Sequence, residues 1–278
     1  MKSILNLIIK PEYTIIGGNI DLRELCLNPN PKIAKLIIKN PDYTLISGNS
    51  NPGLTELIIK SANKTDSYSL SSNTNPMLAD LIISLDDWLK HWYEIGRNPN
   101  TGLTDFILSS PDVECYYISH NTNPKLASLI MEKPNWHNIS GNSNIGLTDF
   151  ILSNPHEVNY DSLSSNTNPL LAKLIIKNRH ELNWYKIFMN SNSGLTNFIM
   201  ENYNDCHKDS FGHSYKASLG QNINPDLTDF ILSKLKPNEI SASNTNKKLI
   251  KYRLSAPDGN IGLSANPSAV VIKKIELL

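Results

Sequence analysis

The chain is predicted to be all-α, an α-solenoid of about eleven short helix-pair repeats of roughly 21–25 residues, on three observations. First, one phrase recurs: Asn-x-Asn, a Pro or Gly, a Leu, then Leu/Phe-Ile. Its second Asn falls at Asn30, Asn51, Asn75, Asn100, Asn123, Asn144, Asn168, Asn192, Asn224 and Asn246, in steps of 21, 24, 25, 23, 21, 24, 24, 32 and 22 residues, and a shortened version follows at Asn266. Second, apolar residues follow each phrase at helical spacing. Third, the phrase covers nearly all of the 278 residues, which gives one elongated domain over 1–278 and leaves no room for a separate catalytic domain. Units this small cannot bury an apolar face alone, so neighbours must share one continuous core.

Three residues after the second Asn stands an apolar residue, as at Ile33, Leu54, Leu103 and Leu147. Three and four residues further on come pairs such as Leu57-Ile58, Phe106-Ile107 and Phe150-Ile151. Spacing of i, i+3, i+4 puts one stripe on one face of a helix of about nine residues, helix A. The second Asn is its predicted N-cap. Pro31, Pro52, Pro76, Pro124, Pro169 and Pro225 occupy the first helical position, where a missing N–H costs nothing.

Read backward from the first Asn of the phrase, Ile or Leu stands three residues earlier (Ile46, Leu70, Ile139, Leu163, Ile187). An aromatic residue often stands six earlier (Tyr43, Trp92, Trp136, Tyr160, Trp184). This pair fits one or two turns of a second helix, helix B, either α or 3₁₀, entered through breakers such as Pro41, Pro111, Pro134 and Pro155. The first Asn is expected to end helix B in a left-handed conformation. Stacked amides would then line one edge of the solenoid and bond exposed backbone groups; the rival reading is an Asn ladder that reads a ligand. A second periodicity overlies the first. Four residues after the cap, Ala34, Ala79, Ala127 and Ala172 alternate with Thr55, Thr104, Thr148 and Thr196, so a two-unit module of 45 to 48 residues is expected, with two kinds of neighbour contact or a history of duplication.

Lys plus Arg and Asp plus Glu each number 26, so the mean long-range field that draws proteins to nucleic acid or anionic membranes is absent. On helix A, Lys35 and Lys173 share their register with Glu56, Asp80, Asp105, Asp149 and Asp229, which describes an ordinary solvated face. The three cysteines, Cys26, Cys115 and Cys206, are odd in number and far apart, which argues for a reducing compartment and against a disulfide framework or zinc ribbon. The apolar run within Met1–Ile9 is too short to span a bilayer and lacks a small-residue cleavage site. A cytoplasmic, soluble chain is expected.

Candidate chemistry is sparse. The longest step, from Asn192 to Asn224, implies an inserted loop at about 201–221 that holds Cys206, His207, Asp209, Phe211 and His213. Cys206, His207 and His213 offer soft and imidazole ligands, but a fourth ligand at a recognisable spacing is missing, so the loop reads as a partner contact rather than a metal site. In Asp86–Trp92, Trp88 and Trp92 stand at i, i+4 and are expected to share a helix face, with Trp92 in the core and Trp88 exposed as a contact residue. His120, His137, His156 and His180 read as scattered surface residues. No nucleophile elbow, zinc-protease motif or phosphate-binding glycine loop appears, so neither an enzyme nor a bound cofactor is expected.

The unit resembles a short repeat of giant amoeba-infecting DNA viruses of the mimivirus type, which runs approximately Leu-Ser-x-Asn-Pro-x-Ala-Ile, a helix, Asn-Pro and an Ile-x-Trp. Leu263-Ser264-Ala265-Asn266-Pro267-Ser268-Ala269-Val270 carries the first half of the likeness. Leu182-Asn183-Trp184-Tyr185-Lys186-Ile187 and Asn135-Trp136-His137-Asn138-Ile139-Ser140 carry the aromatic half. The Asn-x-Asn doubling and the Leu in place of the family's Ala depart from it. The resemblance implies a viral helical-repeat protein acting in the infected host cytoplasm, and it supplies no catalytic residues. Together these readings predict a non-enzymatic scaffold that binds another protein. Single-stranded RNA binding, disfavoured by the neutral charge, is one alternative; self-assembly through uncapped ends at Met1–Ile9 and Ala269–Leu278 is the other.

Overall fold

The computed structural model of the chain describes residues 26–110, 114–204, 215–253 and 255. Cys206, His207, Phe211 and His213 lie outside the described residues, as do Asn19, Asn266 and both terminal segments named above. Among the described residues all regular structure is helical, and short helices follow one another in pairs stacked unit on unit, an all-α repeat solenoid. Units are named here by their capping Asn.

Helix A begins as a three-residue 3₁₀ turn and continues as α-helix: Pro52–Leu54 into Thr55–Lys60, Thr101–Leu103 into Thr104–Ser109, Ile145–Leu147 into Thr148–Ser153. The cap explains the tight start. Asn51 takes the Gly53 N–H on its side-chain oxygen at 2.9 Å and the Leu54 N–H on its backbone oxygen at 3.0 Å, which satisfies two of the helix's orphan donors within one turn. The same side-chain cap is made by Asn30, Asn75, Asn100, Asn123, Asn144, Asn168, Asn192, Asn224 and Asn246.

Helix B is α rather than 3₁₀, as in Tyr43–Ser47, Ser67–Ser71, Trp136–Gly141 and Trp184–Met189. It has its own caps, Asp42, Asp66, Asn135, Asn159 and Asn183, each accepting from the backbone N–H three residues on. The aromatic residue that opens helix B closes the side of the core by stacking on the Phe of the next helix A. The ring centroids are 5.5 Å apart for Trp92 and Phe106, 5.0 Å for Trp136 and Phe150, and 5.4 Å for Trp184 and Phe198. Between the helix rows Leu54, Ile58, Leu70, Leu78, Ile82 and Ile95 are fully buried, which is the shared core that the periodicity predicts.

The first Asn does not adopt the left-handed conformation. Asn98, Asn142 and Asn190 are extended, with φ of −73°, −81° and −70°. Their conformation is set by a cross-unit ladder rather than by helix termination. Asn142 donates both Nδ2 hydrogens to the preceding unit, to Ser119 O at 2.8 Å and Asn121 O at 3.0 Å, while its Oδ1 accepts the Asn144 N–H at 2.8 Å. Asn49, Asn73, Asn98, Asn121, Asn166, Asn190, Asn222 and Asn244 repeat these donations, so each rung ties two chain passes together. An extended backbone is what allows the amide to reach across.

The Ala and Thr units make two different joints. After an Ala unit the next helix A carries Gly at its second position, and the backbones close up: a Cβ built on Gly53, Gly102, Gly146 or Gly194 would lie 2.5 to 2.7 Å from the Cβ of Ala34, Ala79, Ala127 or Ala172. The capping Asn then donates to a backbone oxygen, as from Asn144 to Asn123 O at 2.9 Å. After a Thr unit the second position holds Met77, Lys125 or Leu170, and the capping Asn donates instead to the Thr hydroxyl. Asn75 to Thr55, Asn123 to Thr104 and Asn168 to Thr148 are each 2.7 Å. That hydroxyl in turn donates to the carbonyl three residues back, as from Thr148 to Ile145 O at 2.8 Å. The alternation breaks at the long step. Thr196 is followed by a second Thr unit with Asp226, not Gly, at its second position, and Phe188, fully buried, packs against Tyr215 and Tyr203 there.

Candidate interaction face

With the Asn amides committed to the ladder and caps, a surface for recognition has to be sought elsewhere. Helix A offers charged residues, but Lys35, Glu56, Asp80, Asp105, Asp149, Lys173 and Asp229 are exposed and of mixed sign, the solvated face that their register implies. Lys60 pairs with Glu56 on the same helix, and Lys248 reaches Asp229 across a joint.

Trp88 is 79% exposed. It does not share a helix face with Trp92. Trp88 lies in the 3₁₀ turn Asp87–Leu89, and Trp92 opens the separate helix Trp92–Arg97 after the extended Lys90, which resets the register between them.

Helix B carries a row that the sequence reading passes over. Five residues before the first Asn, one position after the half-buried Trp92, Trp136, Tyr160 and Trp184 where the unit has an aromatic there, stand Tyr68, Tyr93, Tyr116, His137, Asp161 and Tyr185, all exposed. Their rings are braced from unit to unit. Tyr68 donates to Glu94 at 2.7 Å, which raises its pKa, and sits edge-on to His91. The rings of Tyr93 and Tyr117 meet edge-to-face at 5.1 Å, and the Arg97 guanidinium lies 5.0 Å from the Tyr93 centroid while donating to its hydroxyl. Tyr116 meets both Tyr117 and His120 edge-on. Exposed tyrosines and an arginine, braced by neighbouring rings on short helices, form an aromatic surface of the composition found at dominant contact points.

The row runs into a cleft of about 310 Å³ that crosses three joints and is floored by Gly141 and Asn142. His120 and Thr122 come from one unit, His137 and Ser143 from the next, and Ser162, Ser165 and Lys186 from the two beyond. So His120 and His137, which read as unrelated in sequence, share one site. His137 Nδ1 lies 3.2 Å from Ser162 Oγ. Burial lowers the His120 pKa, and Arg97 and His137 lower it further. Asp161, adjacent to the cleft, is spoken for: Asn183 and Lys186 hold its two oxygens at 2.8 and 2.6 Å and lower its pKa. Among the described residues that line the cleft none is a carboxylate, so the Ser162–His137 pair has no acidic partner there.

Among the described residues no helix is long and apolar enough to cross a membrane. No family model, no curated protein and no solved structure matches the chain.

Proposed function

We propose that the chain is a non-enzymatic scaffold that binds another protein through the exposed row on helix B. The observation that carries this is the braced surface of Tyr68, Tyr93, Arg97, Tyr116 and Tyr117: large amphipathic rings, held by neighbours, lose little freedom when a partner covers them. The exposed Trp88 is a further candidate contact, and Cys206, His207, Phe211 and His213, outside the described residues, stay candidates on their sequence alone. The resemblance to the viral repeat suggests a partner in the cytoplasm of an infected host cell.

The test is affinity purification of the tagged full chain, with and without nuclease, beside a Tyr93→Ala/Tyr116→Ala variant shown by circular dichroism to be folded. A stoichiometric protein that survives nuclease and is lost from the variant supports the reading. A protein retained equally by both forms overturns the assignment to this row.

Single-stranded RNA binding is the second reading, favoured by one observation: Tyr68, Tyr93 and Tyr116 supply one exposed aromatic per unit over three successive units, the spacing at which helical repeats stack one base each. The zero net charge weighs against it, since phosphate contacts need clustered Lys and Arg. RNA that co-purifies and is released by salt would move the assignment.

A further inference from the structure

The cleft floored by Gly141 presents hydrogen-bond donors and cationic groups from four successive units, and it has a specific structural origin. The position directly before the first Asn holds His120 in one unit, Gly141 in the next and Ser165 in the one after. The missing side chain at Gly141 opens the floor, and the small Thr122 and Ser143 between the paired Asn residues keep it open. Imidazoles of His120 and His137, hydroxyls of Thr122, Ser162 and Ser165, and the Lys186 ammonium surround that space, and no carboxylate lines it.

We propose that this cleft is an oxyanion site that takes a phosphomonoester group. Imidazolium N–H groups, an ammonium and hydroxyls are the donors that such a group accepts from, and charge-assisted bonds of this kind are the strong ones. Of the hydroxyls, Ser165 donates to Ser162 O at 2.7 Å and Ser162 Oγ pairs with His137, so the imidazoles, Lys186 and Thr122 are the groups that face an anion. At about 310 Å³ the cleft is large enough for a phosphate and the small residue or sugar that carries it, near the lower end of ligand-site sizes. Lys186 is anchored by Asp161, which fixes its position at the end of the cleft and offsets its charge, so the attraction for an anion grows when the imidazoles protonate. The charged and titratable groups around those imidazoles are Arg97 and Tyr116 beside His120, and Asp161 and Lys186 beside His137. Burial first, then the nearby Arg97 and His137, disfavour the proton on His120, and a bound anion opposes all three.

The inference stands on the cleft alone and does not require the scaffold reading, because inorganic phosphate tests it without any partner. Imidazole resonances of the full chain are followed between about pH 5.5 and 8, the range in which histidine titrates, in phosphate and in chloride of equal ionic strength. Phosphate is expected to move the imidazole resonances of His120 and His137 and to raise the apparent pKa of His120, while the resonances of the exposed His156 and His180 stay the same in both salts. A rise of one unit corresponds to about tenfold tighter binding to the protonated form, and His120→Asn and His137→Asn are each expected to lose about that factor at acid pH. A phosphoserine peptide and a nucleoside 5′-monophosphate are the further arms. Whichever outcompetes inorganic phosphate identifies the source of the group. Resonances of His120 and His137 that phosphate leaves unmoved, or a change of equal size at all four histidines, overturn the proposal.

Discussion

The joint between the Asn123 and Asn144 units and the joint between the Asn144 and Asn168 units stack the same helices with the same Asn ladder, yet they are closed by different chemistry. In the first, Ala127 meets the bare backbone of Gly146, and Asn144 donates to a carbonyl. In the second, Leu170 replaces the Gly, and Asn168 donates to the Thr148 hydroxyl. A small residue lets backbones approach until amide and carbonyl bond directly; a hydroxyl bridges the pair where they stand further apart. Fit at one joint is steric, and at the other it is a hydrogen bond. The two-unit module implied by the Ala/Thr alternation is therefore a physical unit whose two interfaces fail to different substitutions.

The largest expected effect is common to both joints and defines what they share. Asn142→Ala removes the buried donations to Ser119 O and Asn121 O and the acceptor of the Asn144 N–H, at about 1 to 3 kcal/mol for a buried group left unmet, while Asn121 O keeps the longer donation from Asn144 Nδ2 at 3.3 Å. Denaturant melts should show a loss of several kcal/mol, and Asn166→Ala, whose Nδ2 rung lies across the other joint at Ser140 O and Asn142 O, should lose a similar amount. A large difference between the two would mean that the ladder is not the shared element.

The next substitutions separate the joints. Gly146→Leu drives a side chain into Ala127, whose Cβ lies 2.7 Å from where the new Cβ would stand, and overpacking of this kind costs about 1 to 3 kcal/mol. The reciprocal Leu170→Gly removes an exposed side chain and should cost no more than about 1 kcal/mol, the loss from backbone freedom. Equal costs in thermal melts would sink the steric account of the Ala joint. Thr148→Val tests the other side. It deprives Asn168 Nδ2 of its acceptor at near-constant shape, for about 1 to 3 kcal/mol, whereas Thr148→Ser keeps the hydroxyl and should lose less.

These contrasts also mark what the sequence could reveal. Caps, the apolar stripe and the Ala/Thr alternation were legible because each is a local spacing within one unit. The Gly that follows every Ala unit was equally visible at Gly53, Gly102, Gly146 and Gly194, but its meaning appears only when Ala34 and its counterparts lie opposite. The left-handed conformation expected of the first Asn failed for the same reason. It considered one helix end, while the backbone there is governed by carbonyls more than twenty residues back in the chain. The cleft was less legible still, since His120 and His137 occupy different registers and converge only through stacking. The exposed aromatic row could have been found five residues before the first Asn, where Tyr68, Tyr93, Tyr116 and Tyr185 already stand in the sequence.

The smallest effect follows from what both joints lack. Ala127, Gly146, Asn144, Thr148 and Asn168 carry no titratable group, so neither joint should respond to pH directly. On the helix B edge, His120 is a group whose burial predicts a slope with pH. Its folded pKa is lowered, chiefly by burial, below the ordinary 6.5. Between that lowered value and 6.5 the unfolded chain binds the proton that the folded chain refuses, so stability rises with pH across this window and is lost as pH falls from 6.5. Urea melts of the wild type at a series of pH values should show that decline, and His120→Asn should flatten it without changing the costs of Gly146→Leu or Thr148→Val. A slope that survives in His120→Asn would locate the titrating group elsewhere, and a Thr148→Val cost that varied with pH would show that the hydroxyl joint is coupled to the helix B edge.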